Sequence, residues 1–330
     1  MMLRRLPASM PPREVLDTPG FAWWYLDVVD TDGNGLVLIW SFGLPFLPDL
    51  GARAVERPSL NVAFYEGGRP AFYTLQELDA SWDGDSFRFG RSVITTRREG
   101  GRWTLSADLD GDLPAGRFSG SVRATGHEVL APEGGAGEHE WAILATGTAD
   151  VNLEADGRRY RLRGRAYHDR NSSPRPLGEL GIRQWLWGRI ALPGGDLVFY
   201  EAVAPDERTE VHVLRVCEGG TRAGAPHLVA SDRRSTVYGP SWPKRLEVDG
   251  IQVVLGPVLD QGPFYLRLLA RSGDAMGFAE VVCADRVGRA AHKPFVRMAV
   301  QRETGNSMWL PLFAGPREGR IARLARWWMQ

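Results

Sequence analysis

The stretch ADVNLEADGRRYRLRG, residues 149–164, sets out a complete β-hairpin. Asp156-Gly157 fits a two-residue type I′ turn, whose two left-handed positions favour this dipeptide. That turn sets Ala155 opposite Arg158 and Glu154 opposite Arg159. The register then pairs Leu153 with Tyr160 and Val151 with Leu162 on one face, and Asn152 with Arg161 and Asp150 with Arg163 on the other. The first face is apolar and the second is a solvated ladder of opposite charges, the mark of an antiparallel sheet covered on one side.

Outward from the hairpin the same grammar repeats. GLVLIWSFG (35–43) and SLNVAFYEGGRPAFYTLQEL (59–78) are rich in β-branched and aromatic residues, and Gly67-Gly68 divides the latter as a hairpin turn. RFSGSVRATG (117–126) and DLVFYEAV (196–203) continue it. Strands do not alternate with amphipathic helices, and helical periodicity is confined to the C-terminal end, so the pattern predicts an all-β class. Twelve tryptophans and 39 glycines suit β-barrels with aromatic interiors and tight corners.

Composition excludes several functions. At 330 residues and 43% hydrophobic content the chain buries a full core and is long enough for two domains. Forty Lys and Arg balance forty Asp and Glu, so no basic surplus points to nucleic acid. MMLRRLPASMPP lacks the apolar core of a secretory signal, and no stretch has the ~18 apolar residues of a spanning helix, which predicts a cytoplasmic protein. Cys217 and Cys283 lack the pairing of a disulfide framework or zinc site and are expected as buried small hydrophobes. His212, within TEVHVLRVC, reads as a strand residue, and neither His227 nor His292 has a partner at metal-ligand spacing.

GRAYHDRN (164–171) continues the hairpin into an unusually polar run. Strict alternation places Tyr167 and Asp169 on the charged face of the hairpin, and His168 on the opposite one. A bulge within Gly164-Arg165-Ala166 would reverse that parity and turn Tyr167 and Asp169 inward. The residues alone leave both open.

Five blocks occur in order: FAWWYLDVVDTDG (21–33), LNVAFY (60–65), GEHEWAI (137–143), GRAYHDRN (164–171) and IRQWLWGRI (182–190), with GFAEVV (277–282) as a fainter sixth. Together they resemble the carotenoid 1,2-hydratase (hydroxyneurosporene synthase) family, which is similar to lipocalin-like proteins including tocopherol cyclases and fungal Diels–Alderases. The resemblance implies two consecutive lipocalin-like β-barrel domains, 1–185 and 186–330. It also implies functional positions at a Tyr-x-Asp and a His-x-Trp segment, which fall here on Tyr167, Asp169, His139 and Trp141. The family's Asp-x-Asn continues with Trp-Gly, whereas this chain reads Ser172-Ser173, a change expected to reshape the pocket wall.

The implied chemistry is consistent with these residue types. Adding water to an isolated trisubstituted alkene requires protonating carbon, so an acid must stay protonated near neutral pH. Desolvation raises a buried aspartic acid's pKa by up to ~3 to 5 units, which makes Asp169 a candidate general acid. Tyr167 or His139 would support the acid or hold water, and the faces of Trp141, Trp185 and Trp187 would stabilise the cation. Asn171 and Trp24 join Trp185 and Trp187 as candidate substrate contacts, although the cluster Trp23, Trp24 and Tyr25 also reads as barrel core. His139 follows the acidic stretch EGGAGEHE and reads equally as a surface loop residue. This chemistry calls for no metal or organic cofactor. The expected partner is a hydrophobic isoprenoid or polyene.

PREGRIARLARWWMQ (316–330) places Arg317, Arg320, Arg323 and Arg326 at three-residue intervals beside an apolar stripe of Ile321, Leu324 and Trp328. It reads as a short C-terminal helix, either docked on the second barrel or lying on an anionic membrane surface, which would make the protein peripheral to the inner membrane face. Other functions compatible with the sequence are a cyclase or Diels–Alderase-type pericyclase of the same fold and a non-catalytic lipid carrier.

Overall fold

The computed structural model describes residues 13–46, 52–113, 116–129, 139–217, 220–287, 298–302 and 308–310. Among these the chain forms two curled sheets, one of thirteen strands and one of nine. The hairpin of residues 149–164 lies in the first, between strands Glu140–Ala155 and Arg158–Ser173. Asp156 and Gly157 take the positive φ values of 52° and 76° that the turn requires. Every pair read from the sequence is formed, and Glu154–Arg159 and Asp150–Arg163 lie at 3.6 Å on the solvated face. The two-residue turn leaves only one register that buries the apolar face.

Across the first sheet, Arg158–Ser173 pairs on its other side with Phe21–Val29, which continues through Gly35–Phe42 and Pro58–Glu66 to Arg69–Glu77. Beyond Glu140–Ala155 lie Gly116–Glu128, Arg102–Leu113 and three shorter strands ending at Ala80–Asp83. The sheet curls until Phe42 meets Trp82, with ring centroids 5.1 Å apart, and Gln76 Nε2 donates to the Asp112 carbonyl at 2.9 Å. Its interior is filled by Trp24, Trp40, Trp103 and aliphatic residues. The second sheet begins at Gln184–Leu192, which pairs with Gly195–Val203 and Ala275–Val282, and Tyr265–Ser272 follows the latter. It encloses its own aliphatic core around Leu186, Ile190, Phe199 and Leu266. After the second sheet the chain returns to the first, where Met298–Arg302 pairs in parallel with Arg69–Glu77.

The architecture is all-β, as the strand pattern predicts, with two lipocalin-like curled sheets, as the family resemblance implies. The C-terminal helix expected at 317–330 lies outside the described residues. Cys283 is buried as expected, but Cys217 is exposed, because it ends the strand Thr209–Cys217 on the solvent side. No helix among the described residues is long and apolar enough to cross a membrane.

A third core lies between the two sheets. This explains why FAWWYLDVV reads as a continuous apolar run: Ala22, Trp24, Leu26 and Val28 face the interior of the first sheet, while Phe21, Trp23 and Tyr25 face the second. Between the sheets, fully buried Arg189 pairs with Asp27, lies 3.6 Å from Asp196 and donates to the Arg165 carbonyl at 2.9 Å. Burial pushes the Asp27 carboxyl up to about 6 despite Arg189 beside it.

Candidate active site

The polar run is built on unbroken alternation. The strand Arg158–Ser173 keeps continuous register with both neighbours through residues 164–167, so the bulge that would have reversed its parity is absent there. Gly164 is needed for another reason: a Cβ at this position would lie 2.3 Å from the Val29 carbonyl oxygen, so it marks a close approach of two strands. Tyr167, Asp169 and Asn171 therefore share the face of Arg159, Arg161 and Arg163. That face is solvated beside the hairpin and buried further along, where the second sheet covers it. His168 points the other way, into the first sheet's interior between Trp40 and Trp103, each 5.4 Å from its ring. Its Nδ1 lies 2.8 Å from the Tyr25 carbonyl, and burial lowers its pKa to about 3, so it is neutral.

The bulge occurs one strand away. In Glu140–Ala155 the register shifts between Ile143 and Ala145, leaving Leu144 as the extra residue, and both Leu144 and Ala145 pack into the first sheet's interior. Alternation through Ala149, Val151 and Leu153 would otherwise carry Trp141 and His139 inward. The extra residue turns them to the outer face beside Asp169, with Trp141 paired directly against Asn171.

These side chains wall one side of a cavity of about 910 Å³, its solvent-facing part included, enclosed between the sheets. Trp185, Trp187 and Tyr200 supply much of the opposite wall. Asp169 is buried, and its Oδ2 accepts hydrogen bonds from Trp141 Nε1 at 3.0 Å and Tyr167 OH at 2.9 Å, while Asn171 Nδ2 donates to Oδ1 at 3.3 Å. Burial raises its pKa to about 8, outweighing the donors, which favour the carboxylate. Asp169 is thus mostly protonated at neutral pH. His139 is held neutral by burial, its pKa lowered to about 4, offset only in part by the neighbouring Asn171 side chain. Aromatic faces surround the acid: Trp187 lies 5.6 Å from Tyr167 and 5.3 Å from Tyr25, and Trp141 stacks on Tyr200 at 5.5 Å.

The structure brings together seven of the eight site residues predicted from sequence: His139, Trp141, Asp169, Asn171, Trp185 and Trp187 line the cavity, and Tyr167 supports Asp169 from behind. Trp24 is the exception. Alternation sends it into the first sheet's interior, stacked on Trp40 at 6.2 Å, while its neighbours Trp23 and Tyr25 line the cavity instead. Neither Ser172 nor Ser173 lines the cavity, so the expected reshaping of its wall does not arise there; Ser172 pairs with Ala22 on the interior side. Sequence reasoning missed Tyr200, Tyr265, Arg267 and Glu280, all on the second sheet. Lone charges inside the apolar strands YLRLLARS and AMGFAEVV were a signal that could have found the last two. Among the described residues, no group of three or more His, Cys, Asp or Glu side chains is placed to hold a metal ion.

Comparison with known proteins decides the family. The carotenoid hydratase CrtC family profile matches residues 51–308. The chain belongs to this family. It is 28% identical to hydroxyneurosporene dehydrogenase of Chlorobaculum tepidum, covering 76% of this chain and 77% of that protein. It is 27% identical to the acyclic carotenoid 1,2-hydratase of Rubrivivax gelatinosus, over 77% of this chain and 65% of that protein, so the chain spans just under two thirds of that relative. Among solved structures, a putative AttH from Nitrosomonas europaea superposes with a TM-score of 0.59 at 13% identity, covering 85% of this chain and 99% of that one. CghA in complex with Sch210972 superposes with a TM-score of 0.57 at 13% identity, over 85% of this chain and 97% of that one. At these identities the structural likeness concerns the fold.

Proposed function

We propose that this member of the carotenoid hydratase family adds water to an isolated alkene at the end of an acyclic, carotenoid-like isoprenoid, with Asp169 as the general acid. The observation that carries this reading is a buried carboxyl in an aromatic cavity with two donors aimed at one of its oxygens, a setting whose burial favours the protonated acid. Trp141 and Tyr167 both donate to Oδ2 whereas only Asn171 approaches Oδ1, at 3.3 Å, so in this reading Oδ1 carries the transferable proton. Proton transfer to the less substituted alkene carbon leaves a tertiary cation and an Asp169 carboxylate. The new negative charge then develops where two hydrogen bonds already point, so little reorganisation is needed. The faces of Trp187, Tyr25 and Trp141 offer the cation a quadrupole attraction worth ~0.5 to 2 kcal/mol each. Water closes the addition as a tertiary alcohol.

Replacing Asp169 by Asn keeps size and polarity but removes the acid proton. Turnover of lycopene, an acyclic carotene with isopropylidene ends, should fall by ~10² to 10⁴ while binding changes little. The wild-type product formed in heavy water should carry deuterium on the carbon next to the new alcohol. Product without solvent deuterium would favour a pericyclic or cyclising enzyme of this fold, and a bound polyene that is never converted would favour a carrier.

A further inference from the structure

Among the described residues two carboxyl groups reach the cavity, one from each sheet, and only Asp169 has a part in the reaction described so far. The other is Glu280, on Ala275–Val282. Its environment is the opposite of that of Asp169. Arg267 Nε donates to Glu280 Oε1 at 2.9 Å, and Arg267 is itself fixed, donating from Nη1 to Tyr65 OH at 2.6 Å and to Asp260 at 3.3 Å. Arg267 is buried and lies 5.5 Å from the Tyr265 ring, so the guanidinium is clamped on several sides. Glu280 Oε2 accepts no hydrogen bond among the described residues. Glu280 is also the cross-strand partner of Trp187, whose ring lies 5.6 Å from that of Tyr167. A continuous path thus runs from Asp169 through Tyr167 and Trp187 to Glu280. Asp169, Glu280, Trp187 and Tyr25 all line the same cavity, so an alkene bound there is within reach of a carboxyl group from each sheet.

We propose that Glu280 is the base of the reaction: it orients the attacking water and takes its proton, with Arg267 as its counter-ion and positioning residue. The proposal rests on Asp169 being the acid. Two carboxyl groups in environments this different divide naturally into an acid and a base. The steps balance. Asp169 gives its proton to one alkene carbon, the π bond breaks, and the other carbon becomes the cation. A lone pair of the water forms the C–O bond while an O–H bond of that water breaks and its proton passes to Glu280. Glu280 and Asp169 then exchange that proton with solvent, which restores both for the net addition of one water. The alternative fate of the cation is loss of a proton from a neighbouring carbon, which returns an alkene. A water held against Glu280, itself fixed by Arg267, favours capture over that return.

The partition between the two fates is the test. Wild-type protein and the variants Glu280→Gln, Glu280→Asp and Asp169→Asn are incubated with lycopene in heavy water, and the tertiary alcohol and deuterium-bearing alkene are quantified together. In Glu280→Gln the amide still accepts from Arg267 but cannot take a proton. The ratio of alcohol to deuterated alkene should fall at least ~10-fold while deuterium exchange into the alkene continues. Persisting exchange shows that the protein is folded and that Asp169 still acts. An unchanged ratio overturns the role of Glu280. Should Glu280→Gln lose exchange altogether, Glu280→Asp decides: a lowered ratio supports the base, whereas an unchanged ratio, or loss of exchange there too, makes Glu280 part of the scaffold and overturns the proposal. Asp169→Asn should lose alcohol and exchange together. If it retains both, the assignment of the acid is wrong, whatever Glu280 does.

Discussion

Asp169 shows how one residue's surroundings set its chemistry. Burial lifts its carboxyl to about 8, and Trp141 and Tyr167 pull in the other direction. Activity that depends on the protonated acid should therefore decline as pH rises through about 8, a limb visible in the pH profile of kcat/KM, which reports the unliganded protein. The same shift acts on stability. In the unfolded chain Asp169 loses its proton near the ordinary value of 3.8, whereas in the folded protein it keeps it until about 8. Between those values the native state binds the extra proton, so stability contributed by this group is fully present below the lower value and falls as pH rises, by at most ~1.4 kcal/mol per unit. Urea unfolding from pH 5 to pH 8 should show a shallower decline in Asp169→Asn than in wild type. Tyr167→Phe removes one donor from the developing carboxylate. By analogy with loss of one oxyanion donor, kcat should fall by up to ~10² to 10³, and the alkaline limb should move to higher pH because the charged form has lost support.

At the scale of the element, the hairpin was legible to the last pair because a two-residue turn and an alternating pattern are local constraints. The orientation of Tyr167 and Asp169 was not. Strict alternation and a bulge within Gly164-Arg165-Ala166 were both open, and the structure realises alternation, with Gly164 marking a close approach of neighbouring backbone that the sequence reading did not foresee. Gly164→Ala should cost ~1 to 3 kcal/mol or more, measured as a lower urea midpoint, because its methyl would meet the Val29 carbonyl rather than a side chain that could yield. The bulge is instead at Leu144, inside the apolar run WAILA (141–145), which holds no glycine, proline or polar residue to mark it. Its position follows from pairing with Arg158–Ser173, which a single strand's pattern does not contain. Trp24 and Trp23 make the same point: both faces of their strand are covered, so hydrophobicity no longer distinguishes cavity from core.

At the scale of the whole molecule, the cavity exists because two sheets, each with its own interior, also bury their outer faces against each other. The Asp27–Arg189–Asp196 cluster ties the two at the base of that interface. Arg189→Ala would remove the counter-ion of buried Asp27 and one of the two guanidinium groups beside buried Asp196, the other being Arg165, and should destabilise the protein by ~3 to 5 kcal/mol in urea unfolding, with a smaller loss at pH 5 than at pH 8 because Asp27 escapes its charge by protonation. Arg189→Met, which fills the space with apolar volume, still leaves Asp27 without its counter-ion and should follow the same pH trend. The sequence by itself determined the all-β class and the hairpin with its register, because turn chemistry and alternation are properties of short segments, while the residues of an acid site were legible only through the family resemblance of their blocks. Only the tertiary structure decided that the charged face of that hairpin becomes the wall of a cavity further along, and that Arg267 and Glu280 stand across from Asp169. Burial, and with it the protonation state of each group, depends on what the other sheet covers.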